Sequence, residues 1–195
     1  MQNKIDMTYH LKYKVAVSGA AEMKYMAPDA LPKIEMIGHL IAKHNMVTVT
    51  GATSGAPFYA AKGAKEAGGI VIGISPAATK AQHVRSYRLP LEYHDLIVYT
   101  GFGYSGRNLL FTRSADAVIT LSGRIGTLNE FTDAFEDQKP QGVLLGTGGT
   151  TDMIPEILEK AHRGNGKVVF DTDPKALMEQ LVILIAQEEE RRDIE

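Results

Sequence analysis

The chain has 195 residues, 44% of them hydrophobic and 23% charged, with a formal net charge of −2 and no cysteine. This balance fits a globular protein with a sizeable core and excludes a disordered chain, disulfides, thiol nucleophiles and cysteine-ligated metal. The small negative charge argues against a broad electrostatic surface for nucleic acid.

The N-terminal MQNKIDMTYHLKYK lacks the apolar run of a secretion signal. No apolar stretch reaches the ~18 residues of a membrane span. The expected location is therefore the cytoplasm, without membrane contact, and residues 1–13 read as an N-terminal extension.

A first strand is expected at KVAVSG (14–19), then the turn SGAAE and the helical pattern DALPKIEMIGHLIAKH. MVTVTG (46–51) follows, with the turn TGATSGA and the helix APFYAAKGAKEAG. IVIGIS (70–75) is separated from DLIVYTG (95–101) by a long non-periodic segment, 76–94. TGFGYSGRN then leads into the helical GRNLLFTRSA, and ADAVITLSG (115–123) into LSGRIGT and GTLNEFTDAFEDQ. QGVLLG (141–146), LGTGGTTD and DMIPEILEKAHR precede KVVFD (167–171) and the helix PKALMEQLVILIAQEEERR, with 188–195 a charged tail.

Near-continuous apolar strands alternating with helices imply a parallel sheet covered on both faces. The expected fold is α/β, Rossmann-like and doubly wound, with about seven mostly parallel strands in a single domain over 1–195.

Segment 76–94 carries Lys80, His83, Arg85 and Arg88, and reads either as a lid over an anion or as a solvated connection. Met23, Met26, Met36 and Met46 read as gap-filling core. The six histidines show no metal spacing, so no metal site is expected. Walker A and G-x-S-x-G motifs are absent, and GFGYSG matches G-x-G-x-x-G only in mid-chain, which disfavours dinucleotide oxidoreduction.

In open α/β sheets, ligands bind beyond the carboxyl ends of the strands. Glycine-rich turns there bring backbone N–H groups close to a ligand, and a following helix adds its positive dipole end, which suits phosphate. The candidates are Ser18 and Gly19; Gly51, Thr53, Ser54 and Gly55; Gly103; and Gly123, Arg124, Gly126 and Thr127.

Thr127 and Glu130 have T-x-x-E spacing, which is either a capping box or part of a site. Arg107 stands in another glycine-rich turn at another strand end, where it and Glu130 would converge on one crevice. The helix dipole and an adjacent guanidinium are then expected to hold Glu130 ionised, with a lowered pKa.

From GRNLLFTRSADAVITLSGRIGTLNE through QGVLLGTGGTTD the sequence resembles the LOG group of Rossmann-like nucleotide-binding proteins, long labelled lysine decarboxylases. That group's hallmark is an arginine followed, across a strand, by P-G-G-x-G-T-x-x-E. Here Arg107 precedes Glu130 by 23 positions. The likeness extends to VAVSGAAE and GATSGAPFYAAKGAKEAGGIVIGISP, and TGFGYSGRN and GTGG resemble the branch of molybdenum-cofactor carrier proteins. Ser122-Gly123-Arg124-Ile125-Gly126-Thr127 departs from the motif at its Pro and one Gly. Arg124 either fills part of the crevice or adds a cation for phosphate.

The resemblance implies that the backbone around Gly123, Gly126 and Thr127 holds a 5′-phosphate, with Arg107 and Glu130 as the catalytic pair at the ribose and its glycosidic bond. It implies one of two functions. One is a nucleoside 5′-monophosphate phosphoribohydrolase, in which a fixed carboxylate stabilises oxocarbenium character. The other is a non-catalytic carrier of a nucleotide or molybdenum cofactor. The implied ligand is a nucleoside monophosphate or a molybdopterin-type compound, with no cofactor required, no nucleic acid partner, and a homodimer or homotetramer as the assembly.

Overall fold

The computed structural model describes residues 11–192, so positions 1–10 of the expected extension and 193–195 of the expected tail lie outside it. Every expected strand forms: β1 (Lys14–Gly19), β2 (Val47–Thr50), β3 (Ile70–Ser75), β4 (Leu96–Tyr99), β5 (Ala117–Gly123), β6 (Gln141–Gly149) and β7 (Val168–Asp171). The helices are α1 (Ala30–Lys43), α2 (Ala56–Glu66), α3 (Gly103–Arg113), α4 (Ile125–Glu136), α5 (Ile154–Ala161) and α6 (Pro174–Arg192). Residues 188–192 of the expected tail continue α6.

All seven strands are parallel, in the order β4-β3-β2-β1-β5-β6-β7. This is a Rossmann-like α/β fold. Strand alternation divides the core into two faces. Val15, Val17, Ile119 and Leu121 pack with Ile34 and Ile37 of α1, Ala60 of α2 and Leu177 of α6. Ala16, Val49, Ile74 and Val118 turn to the other face, against Phe111 of α3 and Ala134 of α4. Phe131 and Phe135 of α4 extend that second face to Ile154 and Leu158 of α5. Strands so enclosed are apolar on both sides, which is why their sequences read as continuous runs.

The topology positions a site. From β1 the chain winds outward through β2 and β3 to β4, and α3 returns it to β5, beside β1. From β5 it winds the other way. The connections leaving β1 and β5 therefore diverge and leave a crevice at the carboxyl ends of these two strands.

Two expectations change. Met46 is buried and Met26 packs on the core, but Met23 and Met36 are exposed, because the first lies in the turn after β1 and the second on the outer side of α1. Segment 76–94 contains one π-helical turn, Gln82–Ser86, rather than being wholly irregular. Among the described residues no helix is long and apolar enough to cross a membrane.

Candidate functional site

A cleft of about 310 Å³ opens where β1 and β5 diverge. Gly19, Ala20 and Ala21 form one wall, Arg124 to Thr127 the facing wall, and Tyr104, Arg107 and Asn108 of α3 close the back, with Glu130 among them. The α3 residues share one side of their helix because three- and four-residue separations bring side chains together.

Arg107 and Glu130 meet in this cleft. Nη1 of Arg107 donates to Glu130 Oε1 at 3.0 Å, and both residues are almost fully buried. Ser18 Oγ, from the end of β1, donates to Glu130 Oε2. With its amide oriented to donate, Asn108 Nδ2 lies 2.8 Å from the Tyr104 carbonyl and 2.9 Å from Glu130 Oε1. Three donors from two elements thus fix one carboxylate. Arg107 lies over the Phe111 ring, and its Nε is buried without a partner among the described residues. A buried donor in that state is uncommon.

The capping-box reading fails. Arg124, not Thr127, is the N-cap of α4, so Thr127 lies inside the helix and Glu130 beyond its first turn. The expected lowering of the Glu130 pKa is also reversed. Burial pushes this carboxyl above its ordinary value of 4.5, and the opposing pull of Arg107 and the Ser18 hydroxyl does not cancel it. The dipole gives little help because its effect fades past the first turn.

The first turn of α4 is unusual in another respect. Arg124 has an extended backbone (φ −124°, ψ −165°) and provides no side-chain cap. The first amide with an acceptor is Leu128 N, which donates to Arg124 O at 2.9 Å. The N–H groups of Ile125, Gly126 and Thr127 therefore have no protein acceptor among the described residues, and they border the cleft. Free amides at a helix start, with the dipole behind them, attract an anion. At α2 the corresponding groups are consumed: Ala56 N donates to Ala20 O at 2.9 Å, Pro57 has no N–H, and Phe58 N donates to Gly55 O at 3.1 Å.

The remaining candidates are dispersed. Gly19 and Thr53 line the cleft, and Gly51 lies against the Arg107 guanidinium. Ser54 Oγ donates to Ala21 O at 3.2 Å, and Gly55 caps α2. Gly103 opens α3, outside the cleft, with its N–H on Pro76 O at 3.1 Å. The N–H of Gly123 donates to Thr151 Oγ1 at 2.9 Å, so it is not available to a phosphate.

Arg124 does not plug the cleft. Its half-exposed side chain pairs with Glu22 and lies 5.0 Å over the Tyr25 ring. Of segment 76–94, none of Lys80, His83, Arg85 or Arg88 borders the cleft, so no lid covers it.

The family model described as SLOG cluster4 family matches residues 12–178. The chain belongs to the SLOG cluster4 family. Among solved structures, the molybdenum cofactor binding protein of the phototrophic bacterium Rippkaea orientalis is 28% identical, with a TM-score of 0.73 over 92% of this chain and 98% of that one. The Moco carrier protein of Chlamydomonas reinhardtii is 26% identical, with a TM-score of 0.73 over 91% and 99%. DNA processing protein A of Helicobacter pylori, 21% identical with a TM-score of 0.62 over 88% and 80%, shares the fold alone. An uncharacterized protein of Archaeoglobus fulgidus is 33% identical over 103 residues, which is 53% of this chain and 62% of that protein. The match thus spans less than two thirds of that relative's length.

Sequence reasoning missed Ala20, Ala21, Tyr104, Asn108 and Ile125, which all line the cleft of this SLOG cluster4 protein. Tyr104 and Asn108 had a usable signal. Four residues apart, with Arg107 between, they fall on one helical face once α3 is known to start at Gly103. The sequence pattern placed that start at Gly106, which left Tyr104 outside the helix.

Proposed function

We propose that this protein binds a phosphorylated small molecule, a nucleoside 5′-monophosphate or a molybdopterin-type compound, with its phosphate on the first-turn amides of α4. The observation that carries this reading is the set of three unpartnered N–H groups, Ile125 to Thr127, at the edge of a cleft that also holds a buried arginine. Because Glu130 neutralises Arg107, the phosphate belongs at α4, and the Arg107–Glu130 pair meets the next part of the ligand. There Glu130 accepts from hydroxyls. The molybdenum-cofactor names of the two SLOG-like solved relatives support a pterin as the alternative to a nucleotide.

Calorimetric titration with ribose 5-phosphate and AMP tests the reading. Binding that inorganic phosphate competes away is expected, and no binding of any phosphorylated compound would remove it.

A second reading, N-glycosidic hydrolysis, draws on the fixed carboxylate. Ionised Glu130, held by Ser18, Arg107 and Asn108, is preorganised to stabilise positive charge at the anomeric carbon or to orient water. Water oxygen would bond to that carbon while the base leaves with the electron pair of the broken C–N bond and takes up a proton. Incubation with AMP would release free base and ribose 5-phosphate. Tight binding without release would leave the carrier reading.

A further inference from the structure

A second groove, of about 530 Å³, lies beside the cleft across a narrow ridge. Thr53 lines the cleft, whereas Ser54 and Gly55 line the groove; Ala21 lines the cleft, whereas Met23 lines the groove. The Ser54 hydrogen bond to Ala21 O joins the two turns that form this ridge.

One side of the groove is aromatic. Phe58 and Tyr59, both half-buried, stand edge to face at 5.6 Å, and Tyr93 braces Phe58 from 5.0 Å. The other side is formed by residues of the segment 84–92, and two histidines hold it rigidly. His83, fully buried, bridges Ser75 Oγ (2.8 Å) and the Pro90 carbonyl (2.9 Å). His94 bridges Thr50 Oγ1 (2.8 Å) and the Glu92 carbonyl (2.8 Å). A carbonyl only accepts, so each ring donates to the loop through one nitrogen, which ties it to the ends of β3 and β2. Segment 76–94 is therefore neither a lid nor a loose connection, but the wall of this groove.

On that wall stand Arg88 and Glu92. They are not paired with each other, and neither has an ion-pair partner among the described residues. Arg88 has a left-handed backbone (φ 54°), a conformation that costs energy in a non-glycine residue and concentrates at ligand sites.

We infer that this groove receives the heterocyclic ring of the ligand whose phosphate lies at α4, and that the ring carries a 2-amino-4-oxopyrimidine edge, the edge common to guanine and pterins. The inference rests on the proposed phosphate site. That edge offers two adjacent N–H donors, from the ring nitrogen and the amino group, to a carboxylate such as Glu92. Its carbonyl offers an acceptor to a guanidinium such as Arg88. The flat ring packs against Phe58 and Tyr59. Adenine places a ring-nitrogen lone pair where guanine has a donor, and so faces Glu92 with repulsion.

Calorimetric titrations with ribose 5-phosphate, GMP, IMP and AMP test this. IMP differs from GMP only by lacking the 2-amino group. Ribose 5-phosphate should bind, and GMP should bind at least about tenfold more tightly than IMP or AMP, as expected for hydrogen bonds to a charged acceptor. Glu92→Gln should bring GMP to the level of IMP and leave ribose 5-phosphate unchanged, and Arg88→Ala should weaken GMP and IMP alike. Both residues are exposed, so folding is not at risk, and a thermal melt checks it. A phosphorylated pterin that binds more tightly than GMP, through Glu92, would support the groove and assign the ring as a pterin. Binding of ribose 5-phosphate with GMP, IMP and AMP equal, or a GMP preference that survives Glu92→Gln, would overturn the ring assignment while leaving the phosphate site intact. Failure of all the probes would overturn both.

Discussion

Gly51 and Arg107 are packed so closely that a Cβ on the glycine would stand 3.0 Å from the guanidinium carbon and nearer still to Nη1. The missing side chain directly after β2 therefore helps to set where the buried guanidinium lies, against Glu130. Gly51→Ala is expected to displace Arg107 and destabilise the fold by about 1–3 kcal/mol, as overpacking does. Affinity for AMP should fall in parallel. Urea unfolding and calorimetry measure the two effects, and unchanged affinity would show that the position of Arg107 is immaterial to binding.

The Arg107–Glu130 pair gives a larger effect. Arg107→Met leaves a buried carboxylate that can shed its charge by taking up a proton, whereas Glu130→Gln leaves a buried guanidinium that cannot, so Glu130→Gln should cost more, about 3–5 kcal/mol. Unfolding free energies of the two variants check this order.

The raised Glu130 pKa fixes a sign with pH. Above 4.5 the folded protein keeps a proton that the unfolded chain has lost, so this group's contribution is full below 4.5 and declines as pH rises through the elevated folded pKa. Glu130→Gln removes that decline. Its stability relative to wild type should therefore improve as pH is raised from 4 toward neutrality, and urea midpoints across that range would show it. If the protein hydrolyses AMP, the acid limb of the rate should reflect the same elevated pKa.

Ile125 is highly exposed at the first position of α4, and the residue before it is extended, which is the backbone setting that proline accepts. Ile125→Pro should thus preserve the fold while removing one of the three free amides. A loss of phosphate affinity of roughly tenfold is expected relative to Ile125→Ala, the control for the lost side chain. Equal affinity in the two variants would mean that the α4 amides do not meet the phosphate.

Arg124 stands where the LOG motif has glycine, and Glu22 holds it at the mouth of the cleft. Glu22→Gln should release the guanidinium and tighten binding of a phosphate dianion, and Arg124→Gln should weaken binding and flatten its dependence on salt. Titrations at two ionic strengths measure both. No change in either variant would make Arg124 a strut between two turns.

The fold was legible because its central strands, β1, β2 and β5, are buried on both faces and each ends in a turn of glycine or polar residues. Arg107 and Glu130 were legible as a pair because their segments leave strand ends that the winding rule brings together, although Arg107 lies within α3 and not in the glycine-rich turn before it. The state of Glu130 was not, since its pKa depends on how deeply the cleft buries it, which no spacing reveals. The competition for backbone amides was equally hidden. Nothing in SGRIGT or TSGAP tells that Thr151 takes the Gly123 amide while Ile125 to Thr127 stay free, or that Ala20 and Gly55 satisfy α2. The role of 76–94 was missed because His83 and His94 act through loop carbonyls, which leave no mark in the sequence.

Amide-resolved NMR during titration with AMP shows whether phosphate sits on the start of α4. With phosphate there, the N–H resonances of Ile125, Gly126 and Thr127 should shift downfield together and saturate with the calorimetric affinity, while those of Ala56 and Phe58 at the start of α2 move little. Saturable binding that leaves the α4 amides unmoved, or that shifts the α2 set instead, would place the phosphate elsewhere.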